Sequence, residues 1–126
     1  MPVRAITVVC TALLGAALAH AQAPQRTSVT DARPLMIAAI DSPAGVAYGV
    51  LVGETADAIT RQFKGTSPIY IDVSTERRYV QAGCSRLKVL FWQEGVLLPG
   101  ASSPKKQSIE MGINYCRDGL PPKSLV

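Results

Sequence analysis

Cys10, Cys84, Cys116 and His20 are the residues of this sequence with the greatest chemical reach, being its three cysteines and its one histidine. Cys84 and Cys116 stand at the ends of two strand-like stretches, GCSRLKVLFWQEGV (residues 83–96) and SIEMGINYC (residues 108–116). A redox-active pair would take the C-x-x-C spacing, and these two lie far apart in sequence. A zinc site would need two more ligands, and the histidine stands in the N-terminal segment. In an oxidising compartment the chemistry left to them is a structural disulfide. Bridging Cys84 to Cys116 closes a loop of about 33 residues. The chain-entropy estimate for that closure is roughly 3.7 kcal/mol, a large share of a small domain's net stability.

Other reactive combinations are sparse. Ser102 and Ser103 stand near Lys105 and Lys106, the residue types of a Ser–Lys dyad. A catalytic lysine needs burial to lower its pKa, and this stretch reads as a solvated loop. Asp72 and Glu76 are acidic neighbours at a strand end with nothing else to join them in general acid–base or metal work. The glycines of AGVAYGVLVGE lack the spacing of a phosphate-binding loop. With its one histidine in the N-terminal segment, the chain has no Ser–His or Cys–His nucleophile arrangement to offer outside that segment. The sequence predicts a protein that is not an enzyme and carries no cofactor or metal.

The N-terminus predicts the compartment. MPVR brings one positive charge, and residues 5–18 are an uncharged apolar run shorter than the ~20 residues that span a bilayer. Ala19 and Ala21 then occupy the −3 and −1 positions of a small-residue cleavage site. Residues 1–21 are therefore expected to be a signal peptide, with an uncleaved anchor as the rival reading. Cleavage removes His20, Cys10 and Arg4, lowering the formal charge of +4 by one unit. The expected location is the periplasm, with no stable membrane anchor after cleavage.

The elements that must position the cysteines follow from periodicity. Residues 22–33, QAPQRTSVTDAR, are polar and aperiodic and read as a flexible lead-in. Residues 34–116 form a single expected domain, and residues 117–126 an extended tail. PLMIAAI (residues 34–40) is a short apolar run that reads as a buried strand, a short helix being the alternative. VAYGVLVG (residues 46–53) reads as a strand. In ETADAITRQFKG, Ala56, Ile59 and Phe63 fall on one helical stripe, with Gly65 at the expected left-handed C-cap. Residues 67–75 alternate as a strand with Ile69, Ile71 and Val73 on one face. In residues 85–93, Leu87, Val89 and Phe91 form the inner face. Glu94–Gly95 is expected to turn the chain into a short return strand, VLLPG. Ile109, Met111, Ile113 and Tyr115 are expected to face inward. The fold class is α+β: a small, mostly antiparallel sheet of about five strands with one helix packed on a face.

Antiparallel pairing with Cys84 opposite Cys116 sets Leu87 against Ile113, Val89 against Met111 and Phe91 against Ile109. A slip of one residue would break this agreement. Lys88 then lies diagonal to Glu110, a favourable charge pair. The outer face carries Arg86, Lys88, Leu90 and Trp92, with Tyr70 nearby. Trp and Arg are enriched at interface hot spots, so these four are the candidate partner-binding residues. The alternative places Trp92 under the helix or the C-terminal tail as a second small core. Modest charge and export argue against nucleic acid as the ligand.

The stretches GCSRLKVLFWQEGV and INYCRDGLPP resemble small exported proteobacterial proteins associated with conjugation or type IV secretion loci. The resemblance covers residues 83–122 and carries over no functional residue. It implies an accessory protein of the envelope. The reading is thus a non-enzymatic periplasmic module that binds another envelope protein. The alternative is a secreted inhibitor of a cell-wall hydrolase, plugging a cleft with the loop PGASSPKK.

Overall fold

The computed structural model describes residues 2, 3, 15 and 23–126, so the expected signal peptide falls almost wholly outside the described residues. The elements are β1 (Thr27–Val29), α1 (Arg33–Asp41), β2 (Val46–Leu51), α2 (Glu54–Phe63), β3 (Ile69–Arg78), β4 (Cys84–Val96) and β5 (Lys105–Cys116). They form one five-stranded sheet in the order β1-β2-β3-β4-β5. β1 pairs parallel with β2 and every later pair is antiparallel. The α+β expectation holds, with two helices in place of one.

The second helix is the segment expected as a buried strand. Short apolar runs fit either state, and two local features decide this one. Pro34 sits in the first turn of α1, where a missing N–H costs nothing. Leu35, Met36, Ala39 and Ile40 are all buried, a stripe one side of a helix wide. The entry to α1 is shaped by Asp31, which accepts the Arg33 backbone N–H at 2.9 Å and the Arg33 guanidinium at 2.9 and 3.1 Å. α1 lies on the inner face of the sheet, where its apolar stripe joins Val29, Ile71, Val73, Leu87 and Val89 in the core. Gly49 permits the close approach, because a Cβ there would collide with Leu35.

The lead-in also packs. Residues 22–33 were expected to be flexible, yet Thr27–Val29 extends the sheet and Val29 is buried. A parallel neighbour needs a crossover, and α1 supplies it between β1 and β2. The helix expected on the sheet face is α2, yet α1 is the helix that packs on the core, and α2 buries only Ala56. Its left-handed C-cap is Lys64, φ 56°, rather than Gly65. Gly65 serves a different need, since a side chain there would strike the amide of Gln93. That amide donates to Thr60 Oγ1 at 2.9 Å and to the Ser67 carbonyl at 2.8 Å, fastening α2 to β4.

β4 continues past the expected turn. Glu94–Gly95 is a bulge within the strand: the register with β5 shifts between Gln93 and Val96, and Gly95 has φ 67°. The Thr66 N–H donates to the Glu94 carbonyl and Ser67 Oγ accepts the Glu94 N–H, holding this end of β4 in place. Chain reversal occurs in residues 97–104, so VLLPG is not a return strand. β3 likewise runs on to Arg78, with an irregularity between Thr75 and Arg77.

The β4–β5 register is the expected one: Cys84 faces Cys116, Leu87 faces Ile113, Val89 faces Met111 and Phe91 faces Ile109. The Cys84–Cys116 disulfide is formed, with Cα atoms 4.0 Å apart and both cysteines buried. The pair exchanges no backbone hydrogen bonds. Cys84 N–H donates to Gln81, its carbonyl accepts from Tyr79, and Cys116 N–H donates to Leu120. Such non-hydrogen-bonded positions bring opposing Cα atoms closest, which suits a cross-strand bridge. One inward expectation fails in part. Ile113 and Tyr115 pack against the core, but Ile109 and Met111 are 66% and 41% exposed because α1 does not extend over them. Residues 117–126 contain no helix or strand, and the Val126 carbonyl accepts from the Val80 N–H at 2.8 Å.

Two predictions arise here. Replacing Cys84 and Cys116 together by serine is expected to cost about 2–5 kcal/mol, read as a lower denaturant midpoint. An unchanged midpoint would show that the bridge does not stabilise the fold. Separately, hydrogen bonds from Arg33 hold the Asp31 carboxyl down at about 2, below its ordinary value of 3.8. The folded pKa is depressed, so the contribution is complete above 3.8 and lost as pH falls through about 2. NMR titration of the Asp31 side chain checks this, and a midpoint near 3.8 would refute it.

Candidate binding surface

Strand alternation assigns the candidate residues to one surface. Arg86, Lys88, Leu90 and Trp92 are all half-buried on the outer face of β4, opposite the α1 side. Across the β3–β4 ladder Trp92 pairs with Tyr70, and Leu90 with Asp72. The Tyr70 and Trp92 rings lie 4.3 Å apart at a tilt of 38°, a close contact just under the roughly 4.5 Å at which favourable aromatic pairs begin. The Trp92 indole N–H donates to Asp72 Oδ2 at 2.9 Å. Among the described residues the ring and polar-group partners of Trp92 are Tyr70, Asp72, Arg26 and Lys106, none from a helix or the C-terminal tail.

Arg26 is the residue that sequence reasoning missed. It donates to Asp72 Oδ1 at 2.8 Å and to the Gly49 carbonyl at 3.0 Å, with a longer bond to the Ile71 carbonyl. Its guanidinium carbon lies 4.5 Å from the Tyr70 ring centre, 5.6 Å from Trp92 and 5.7 Å from Tyr48. A planar cation stacked among aromatic faces is favourable, more so when partly desolvated. The only signal for its placement was the short Thr-Ser-Val run that follows it, below the usual length of a recognisable strand.

The rest of the face is basic and open. Lys106 Nζ sits 4.2 Å from the Trp92 ring centre on the side of β5. Arg86 donates to Asn114 Oδ1 at 3.2 Å and meets Glu76 only at 4.0 Å. Its guanidinium lies across Gly112, where any side chain would displace it. Lys88 lies diagonal to Glu110 as expected, opposite Gly112 while Glu110 is opposite Leu90, but the two form no ion pair among those of the described residues.

The constellations weighed for catalysis are not assembled. Asp72 is engaged by Arg26 and Trp92, while Glu76 lies beyond the β3 irregularity beside Arg86. Ser102, Ser103, Lys105 and Lys106 are exposed, so neither lysine has the burial a base would need. Among the described residues no group of three or more His, Cys, Asp or Glu converges. The inner face does hold an apolar groove of about 350 Å³ between α2 and the uncovered half of the sheet, lined by Leu51, Ile59, Phe63, Ile69, Phe91 and Ile109 among others. Comparison of the chain with protein-family models, with curated proteins and with solved structures finds no match.

Asp72 is the hub of the aromatic-basic cluster, with its side chain 28% exposed and that of Arg26 15%. Asp72→Ala is expected to destabilise the fold by about 1–3 kcal/mol, because Arg26 and the Trp92 N–H both lose their acceptor. Asp72→Asn, which keeps an acceptor for Trp92, should lose less. Denaturant unfolding followed by the fluorescence of Trp92, the single tryptophan, reads both variants. Equal losses would show that the Trp92 bond contributes nothing.

Proposed function

We propose that this chain is a non-enzymatic, exported binding module of the periplasm that presents the outer face of β3, β4 and β5 to another envelope protein. The observation that carries the reading is the half-exposed Trp92–Tyr70 stack, flanked by Arg26 and Lys106 and continued by Leu90, Lys88 and Arg86. Antiparallel sheets often leave one face to solvent, and such faces are ordinarily polar. Here large aromatic and aliphatic side chains sit at the centre with cations around them, the composition of an interface core and its rim. Lys88 and Lys106 have no carboxylate within 4.0 Å among the ion pairs of the described residues. A partner with an apolar patch rimmed by carboxylates would complement this surface. Export is supported by the sequence of residues 1–21, and the disulfide is compatible with an oxidising compartment. The resemblance to proteins of conjugation and secretion loci makes an envelope machine the class of partner to test first.

In-cell crosslinking from a photoreactive residue at position 88 or 90 is expected to capture one discrete envelope partner. Leu90→Asp should abolish the capture, and Leu90→Ser, which sets no third carboxylate between Asp72 and Glu110, should abolish it as well with the fold intact. Absence of any captured envelope protein under all growth conditions overturns the proposal. Inhibition of a cell-wall hydrolase would instead engage the exposed loop of residues 99–104. Loss of capture on changing Ser102 and Ser103, with Leu90→Asp neutral, would favour that alternative.

A further inference from the structure

β5 is the last strand of the sheet, and its free edge has an unusual regularity. Because the Cys84–Cys116 pair exchanges no backbone bonds, hydrogen-bonded positions on β5 alternate from Tyr115 downward. Asn114, Gly112, Glu110 and Ser108 therefore turn their N–H and carbonyl groups away from β4. The ladder is uninterrupted from Cys84–Cys116 to Gln93–Gln107. None of these outward groups meets another segment among the backbone bonds of the described residues; the tail reaches only Cys116, whose N–H donates to Leu120 and whose carbonyl accepts from Gly119. Residues 108–112 are all exposed, and the apolar pair Ile109 and Met111 lies among them.

Long exposed edges with apolar side chains invite pairing, and proteins usually guard them with lysine, proline or a bulge. The guards of β5 are concentrated at its start, where Pro104, Lys105, Lys106 and the β4 bulge stand. The stretch from Ser108 to Asn114 has a single charge, Glu110. That charge has no ion-pair partner in its own chain among the described residues.

We propose that β5 pairs antiparallel with β5 of a second copy, about a twofold axis at Met111. This register sets Met111 against Met111, Ile109 against Ile113 and Ser108 against Asn114. The exposed apolar residues of the inner face then cover one another across the axis. Glu110 of each copy falls opposite Gly112 of the other, the position over which the Arg86 guanidinium lies. The unpaired carboxylate thus meets a guanidinium whose own carboxylate contact is at the 4.0 Å limit, and symmetry makes the contact twice. Neighbouring symmetric registers are worse. Centring on Glu110 opposes two like charges directly. Centring on Gly112 runs Ser108 against Cys116, whose N–H already bonds to Leu120. The inference concerns the sheet edge and shares with the proposed docking face only the β5 border at Arg86 and Glu110.

Sedimentation equilibrium of the protein with its disulfide intact is expected to show a monomer–dimer equilibrium. Ser108→Pro removes an outward N–H while leaving every β4 bond in place, and should weaken the dimer by about tenfold or more without lowering the thermal midpoint measured at dilutions where the protein is monomeric. Glu110→Arg should weaken it too, and adding Arg86→Glu should restore it. Met111→Cys should crosslink two copies on mild oxidation, whereas Ile109→Cys, which faces Ile113, should not. A monomer at every accessible concentration overturns the proposal. So does a dimer indifferent to both Ser108→Pro and Glu110→Arg, or one that crosslinks at position 109 and not at 111.

Discussion

The register between β4 and β5 is the constraint from which the other features of this protein follow. Side chains on a strand alternate with a period of two, so fixing Cys84 opposite Cys116 assigns every residue of both strands to a face. Leu87 and Val89 go to the core, where each is fully buried, and Lys88, Leu90 and Trp92 go to the other side. The bridge makes that assignment hard to undo. A one-residue slip would have to break a covalent bond as well as expose the core. The same register turns the backbone of Ser108, Glu110, Gly112 and Asn114 outward, so the free edge of the sheet is set by the position of the bridge.

The two sides of the sheet differ because α1 is short. Nine residues of helix extend about 14 Å, whereas the thirteen residues of β4 extend about 43 Å. One such helix covers the middle of the inner face and no more. Ile71, Val73, Leu87 and Val89 lie in the covered part and are sealed. Ile109 and Met111 lie beyond it and stay exposed, and the groove beside α2 opens there. The exposed apolar surface therefore has a geometric origin in the mismatch between a short helix and long strands.

What could be read from the sequence depended on whether the pattern was local. The β4–β5 pairing was legible because two alternating stretches and two cysteines agreed on one register. The same alternation placed Arg86, Lys88, Leu90 and Trp92 on a shared face and put Tyr70 beside them. PLMIAAI was ambiguous because seven apolar residues carry too little period to separate a strand from a buried helix. The Glu94–Gly95 pair has the composition of a turn, yet the bonds from Thr66 and Ser67 keep β4 extended and leave Gly95 its bulge conformation. Arg26 was beyond reach for a different reason. Its acceptors, Asp72 and the Gly49 carbonyl, lie 46 and 23 residues away, and nothing in residues 22–33 announces them.

Arg26 also shows how the thinnest part of the fold is joined to its most interaction-ready surface. β1 has three residues, pairs with a single strand and is parallel, an arrangement slightly less stable per residue than the antiparallel one. Its backbone bonds alone are a weak tether. The guanidinium of Arg26 extends from the start of this strand to Asp72 and lies among Tyr48, Tyr70 and Trp92. Removing it from this position would take β1 off its second anchor and leave the Asp72 carboxylate beside the Trp92 indole without its cation. Arg26 therefore links the docking of β1 to the aromatic cluster. A ligand that favours the stacked arrangement of the outer face acts on contacts that also hold the N-terminal strand.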